Sequence, residues 1–385
     1  MSTTERSFSQ AATVAALSAC CCLFTGVARA GALDVVTGAG SGGGPLVRAF
    51  DTPSLAPTAS FDAYSSAFSG GVAVAAGRFG AEDVIVTGAG AGGGPNVKVF
   101  DAGTGVEQAG FDAFAPSFTG GVSVAIGHSS GLDLIIAGAG AGGGPGVSIF
   151  EAHTLAPMGS FYAFAPDFSG GVAVATGRSN GHDVIIAGAG AGGGSDIGVF
   201  DEHTLAPLAS FFAFSPSFAG AVSVGSGRFE GQNAILVGAG AGGGPLVSIF
   251  NADTFQLLDS FYAFDPAFTG GVTVAGSSFD GHDSIIVGAG AGGAPLVKVF
   301  DSRTNALGTD ASFFAYAPSF SGGVNVSGLA ATAVPEPAVW VQLLAGMAVA
   351  GGALRLVRRN AVMATRTPRC WRECTSGGRE GRPGG

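Results

Sequence analysis

Gly88-Ala89-Gly90-Ala91-Gly92-Gly93-Gly94-Pro95-Asn96-Val97-Lys98-Val99-Phe100 is one of six versions of a phrase that recurs every 50 residues, opening at Gly38, Gly88, Gly138, Gly188, Gly238 and Gly288. A second phrase answers each, as in Phe111-Asp112-Ala113-Phe114 followed by Phe118-Thr119-Gly120-Gly121-Val122. A fixed period of this length marks a repeat architecture, in which one unit is a supersecondary element and neighbours bury each other's apolar faces.

One unit reads as four strands. Val72-Ala73-Val74-Ala75 is short and partly β-branched, and a turn is expected around Gly77-Arg78-Phe79-Gly80. Asp83-Val84-Ile85-Val86 makes a second strand, 88–95 a glycine turn, and Asn96-Val97-Lys98-Val99-Phe100 alternates with period two. A turn over 101–105 leads to a fourth strand, Gly110-Phe111-Asp112-Ala113-Phe114. Short strands with even turn punctuation predict an up-and-down antiparallel blade, and the glycine density with no 3.6 period disfavours helix.

Six blades around an axis make an all-β, six-bladed β-propeller. This is favoured over seven blades or an open β-solenoid. The first unit begins at its second strand, near Leu33-Asp34-Val35-Val36, and the last first-type strand, Gly323-Val324-Asn325-Val326, has no followers. The two are expected to pair and close the ring. Phe61, Phe111, Phe161, Phe211, Phe261 and Phe313 recur once per blade and are expected to join neighbours. With 30 phenylalanines beside 69 glycines and 18 prolines, the chain has the burial that disordered sequences lack.

Charge narrows the partners. Residues 31–333 carry 7 Lys/Arg against 23 Asp/Glu, so nucleic acid, which needs a basic footprint, is not an expected partner. The repeats hold no cysteine and depend on packing alone.

The ends read as targeting segments. Residues 1–30 fit a secretory signal: Arg6 in a polar start, an apolar stretch over 11–27, and a small-x-small site at Ala28 and Ala30. Leu17-Ser18-Ala19-Cys20 leaves a lipoprotein route open. Near the other end, Pro335-Glu336-Pro337 precedes an apolar run over 338–354 that reads as a C-terminal transmembrane helix, followed by Arg355, Arg358 and Arg359. Residues 360–385 form a basic tail expected to be disordered. The order of the parts in 334–359 resembles the PEP-CTERM sorting signal. That resemblance implies an exported protein, an exosortase-type processing partner and an exopolysaccharide or biofilm setting, although the chain runs on past the arginines.

The repeat itself resembles the FG-GAP and VCBS-type repeats of integrin-like propellers. The residues carrying this are Phe118-Thr119-Gly120-Gly121-Val122, Asp133-Leu134-Ile135-Ile136-Ala137-Gly138-Ala139-Gly140 and Val147-Ser148-Ile149-Phe150. The resemblance implies an Asp-rich loop between the first two strands as a calcium site. The matching loops here, 177–183 and 277–283, are short and carboxylate-poor, and Asp280 and Asp283 are the best remaining metal pair. The persisting Asp (Asp83, Asp133, Asp183, Asp283) is otherwise expected to accept turn hydrogen bonds.

No other cofactor is expected. Gly88 to Gly93 satisfies Gly-x-Gly-x-x-Gly, but a strand follows it rather than a helix. The five histidines form no cluster in sequence, and no catalytic residue breaks the pattern; the departures noted are Ser195-Asp196, Ala221 and Ala294. The expectation is an exported, non-catalytic binding or scaffold module of the envelope or matrix, its partner a polysaccharide or a surface protein. The alternatives are a carbohydrate-active enzyme or a spacer with no ligand.

Overall fold

The computed structural model describes residues 33–51, 54–279, 282–304 and 307–328. The signal-like segment with Ala28 and Ala30, the sorting motif with Pro335, Glu336 and Pro337, the apolar run and the basic tail lie outside them. Among the described residues no helix is long and apolar enough to cross a membrane.

The strands form six separate four-stranded antiparallel sheets, each an up-and-down meander. Blade 2 shows the plan: Val72–Phe79 innermost, then Glu82–Ala89, Asn96–Asp101 and, outermost, Glu107–Asp112. Blades 3 to 6 repeat it over 122–162, 172–212, 222–262 and 272–314. Blade 1 draws on both chain ends. Val324–Gly328 pairs with Leu33–Ala39 from Val35↔Gly328 to Ala39↔Val324, and Leu46–Asp51 and Pro57–Asp62 complete the sheet. The expected closure is therefore the observed one, with six blades.

The first hairpin differs from the expectation. Residues 77–79 belong to the inner strand, which pairs with the second from Val72↔Ala89 to Phe79↔Glu82. Only two residues turn the corner. In blade 4 these are Asn180 and Gly181 at φ 49° and 82°, the left-handed pair that a two-residue hairpin needs to match strand twist. The segment read as an Asp-rich loop is thus mostly strand.

The glycine phrase is likewise only half a turn. Gly88 and Ala89 still belong to the second strand, and a Cβ on Gly88 would lie 2.3 Å from the Val122 carbonyl oxygen of the next blade's inner strand. Gly92 makes the turn at φ 86°.

Six aromatic contacts close the six seams. Phe61 meets Phe100 of the next blade, and Phe111–Phe150, Phe161–Phe200, Phe211–Phe250, Phe261–Phe300 and Phe313–Phe50 repeat the contact, with centroids 4.5 to 4.8 Å apart. Each contributes about 0.5–1.5 kcal/mol beyond area burial. Where the seam carries a tyrosine, the next blade supplies a hydroxyl. Tyr64 O–H meets Thr87 Oγ1 at 3.0 Å and Tyr316 O–H donates to Thr37 Oγ1 at 3.1 Å. Phe114, Phe164, Phe214 and Phe264 stand in the other seams, opposite Ala137, Ala187, Val237 and Val287. Each tyrosine hydroxyl also reaches a backbone carbonyl of the next blade, Tyr64 that of Asn96 at 3.1 Å and Tyr316 that of Leu46 at 3.2 Å.

Candidate functional site

The axis is narrow and uncharged. Two cavities of about 340 and 260 Å³ run along it, lined by the inner strands, and no ionisable side chain lines either. Their polar groups join blades. Ser123 Oγ accepts from Val174 N at 3.1 Å, Ser223 Oγ from Val274 N at 3.2 Å, and Asn325 Nδ2 donates to the Val72 carbonyl at 2.7 Å. These bonds satisfy inner-edge backbone groups that have no further strand to pair with.

The rim is different. The outermost strand ends on an exposed side chain, and around the ring that position reads Asp62, Asp112, Tyr162, Phe212, Tyr262 and Phe314. Four consecutive blades therefore present an aromatic ring to solvent, 64%, 54%, 57% and 50% exposed. Met158, Leu208 and Leu257 add exposed apolar surface to the same strands of blades 3 to 5. The six outer strands carry no lysine or arginine. The inner and outer strands of a blade are three strand spacings apart, about 14 Å, so 60° steps hold successive rim strands at least about 14 Å from each other. The arc is a row of separated rings.

The opposite face collects the titratable groups, because both the first hairpin and the turn after the third strand lie there. All five histidines stand on it. In blade 3, His128 Nδ1 is 2.7 Å from Asp133 Oδ1 and His153 Nδ1 is 3.3 Å from Glu151 Oε1. The turn itself is tied by its first residue: Thr104 N and Oγ1 donate to Asp101 Oδ1 at 2.7 and 2.6 Å. The Thr154 hydroxyl, followed by backbone bonds from His153 and Thr154, holds the Glu151 carboxyl at about 2.

The persisting Asp was expected to accept bonds from its own turn; its carboxylate is instead engaged across the hairpin and across the seam. Arg78 Nε reaches Asp83 across the hairpin at 2.5 Å, and Asp133 Oδ2 accepts from Gly80 N of the preceding blade at 2.7 Å. Of the expected metal pair, Asp280 lies outside the described residues. Asp283 pairs with Ser278 in the ladder, and its carboxylate lies 3.8 Å from Arg228 Nε of the preceding blade.

Glu202 escaped the sequence reading. It is 4% exposed in the seam between blades 3 and 4, at a position that is Ala102, Ala152 and Ala252 in other blades. Its Oε1 has no hydrogen-bond partner and sits against Gly127, where a Cβ would be only 1.9 Å away. Burial first, then the charges of Asp183 and Asp201, push its carboxyl up to about 7. In the next seam, where Ala252 stands instead, a cavity of about 150 Å³ opens between Gly177, Ser226 and Ala252. The signal was in the sequence: Asp201-Glu202-His203-Thr204 against Glu151-Ala152-His153-Thr154.

No protein-family profile matches the chain, and no curated protein sequence matches it. Solved structures resemble it in shape. A Bacteroides caccae protein of unknown function aligns over 77% of this chain and 98% of its own at 10% identity and TM-score 0.48. BamB from Moraxella catarrhalis aligns over 76% and 81% at 15% identity and TM-score 0.38, and the RRP9 WD40 repeats over 74% and 82% at 10% identity and TM-score 0.45.

Proposed function

We propose that this chain is an exported, non-catalytic binding module that holds a neutral polysaccharide of the envelope or matrix along its rim. The observation that carries the reading is the arc of Tyr162, Phe212, Tyr262 and Phe314 on four consecutive blades. An exposed aromatic face accepts the C–H face of a sugar ring, and a tyrosine adds a hydroxyl for its edge. Contacts at least about 14 Å apart suit a long repeating chain, on which several weak contacts act together through effective concentration. The formal charge of 7 Lys/Arg against 23 Asp/Glu over 31–333 disfavours an acidic polymer. Export, an exosortase-type partner and a membrane stage before processing rest on the 1–30 and 334–359 segments. Membership of the FG-GAP or VCBS class rests on the repeat residues quoted above.

The test is a titration of the purified full chain with the neutral polysaccharide of the producing organism. One stacked ring contributes about 1 kcal/mol, so each single alanine variant at the four positions is expected to bind about five-fold more weakly. The fourfold variant should lose at least about 100-fold, and Asp62→Ala should change nothing. Equal binding by the wild type and the fourfold variant would remove the rim from the account, and no binding at all would favour a spacer or a protein partner.

A further inference from the structure

Three strand ends of blade 6 bring His282, Asp301 and Asp310 together, one donor atom of each lying within 4.8 Å of the others. His282 opens the second strand, Asp301 closes the third and Asp310 is the second residue of the fourth. His282 Nε2 is 3.2 Å from Asp310 Oδ2. The side chains of His282, Asp301 and Asp310 are 19%, 18% and 26% exposed.

The repeat supplies its own comparison. Blade 4 has the same first two residues, with His182 Nδ1 3.6 Å from Asp201 Oδ2. Thr309 faces Phe300 as Pro207 faces Phe200, so the counterpart of Asp310 is Leu208. Elsewhere the position reads Thr58, Gln108, Met158 and Leu258. Only blade 6 has a carboxylate at that position.

We propose that blade 6 binds a divalent transition-metal ion of the zinc class on His282, Asp301 and Asp310. An imidazole with two carboxylates is a borderline donor set that suits such an ion, whereas calcium takes six to eight oxygens. Donors about 2.1 Å from a tetrahedral zinc stand roughly 3.4 Å apart, a small closure from the present spacing. Three protein ligands leave a fourth position to water. The Arg303 guanidinium spans the Asp301 carboxylate, with Nη2 2.6 Å from Oδ2 and Nε 2.9 Å from Oδ1, and so competes for the place an ion would take. Its side chain is 55% exposed and can swing into water. The proposal is independent of the aromatic arc, which stands at the other end of the outermost strands.

The experiment is a Zn²⁺ titration of the full chain against a chromophoric chelator, comparing wild type, Asp310→Leu and Arg303→Ala. Asp310→Leu rebuilds the arrangement that blade 4 already tolerates, and circular dichroism checks its fold. It is expected to weaken one site at least ten-fold and to lower the tightly bound Zn²⁺ by one per chain. Arg303→Ala, which removes the competing cation, should tighten the same site about three-fold. Superimposable titrations of wild type and Asp310→Leu, or no Zn²⁺ bound by the wild type, overturn the proposal.

Discussion

Ending the chain after Gly323 is expected to destroy the ring's cooperative unfolding, while ending it after Gly328 is expected to leave that transition in place. The five residues between these points are the whole innermost strand of blade 1. Val324 and Val326 are 1% and 8% exposed, and burying a valine contributes about 1.5–3 kcal/mol. Pairing from Val35 to Ala39 is lost with them, at about 0.5–1.5 kcal/mol net for each hydrogen bond. The total exceeds about 5 kcal/mol, a large part of the 5–15 kcal/mol by which domains are stable. The cut also bares Val35 and Val36 at an unpaired edge, so aggregation should accompany it. Thermal unfolding followed by circular dichroism checks both truncations. A shared transition temperature would mean that the ring does not depend on its closing strand.

The second large effect belongs to Glu202, and its sign changes with pH. A carboxyl whose folded value, about 7, lies above its unfolded value of 4.5 binds extra protons in the folded state between those limits. Stability is therefore lost as pH rises through that window, by about 3 kcal/mol in all, and the penalty is fully present at pH 8. Glu202→Ala removes the penalty and opens a space like the one beside Ala252, at about 1–2 kcal/mol of lost packing. The variant should be about 1–2 kcal/mol more stable than wild type at pH 8 and about 0–1 kcal/mol less stable at pH 5. Urea unfolding at the two pH values measures both. An equal difference at pH 5 and pH 8 would show that the carboxyl does not titrate in the seam.

Much of the architecture could be read from the chain because the period multiplies each signal by six. The blade-joining series at Phe61 and its copies was readable from spacing, and so was closure by Val324 and Val326 against Leu33–Ala39. The partner series at Phe50 and Phe100 was not, because its role depends on which neighbour a strand faces. The inner hairpins were misjudged at Gly77-Arg78-Phe79 because a glycine in a strand resembles a turn. There the residue faces the next blade, and a Cβ on Gly77 would press on Ile126. The functional surfaces were harder to see. The rim column Asp62, Asp112, Tyr162, Phe212, Tyr262 and Phe314 is visible in sequence, but only the strand's burial pattern shows that it faces water. His282, Asp301 and Asp310 stand 19 and 9 residues apart, and the antiparallel ladder alone makes them neighbours. Glu202 stands where neighbouring units have alanine, and only the seam shows that its carboxyl is buried.

The most direct measurement of the central claim is the affinity of the full chain for fragments of the neutral polysaccharide, taken as a function of fragment length. Rings at least about 14 Å apart predict weak binding until a fragment spans two of them, followed by a rise of at least about ten-fold. Affinity already complete in the shortest fragment would mean a single enclosed subsite, and would contradict a rim that holds its partner through separated aromatic contacts.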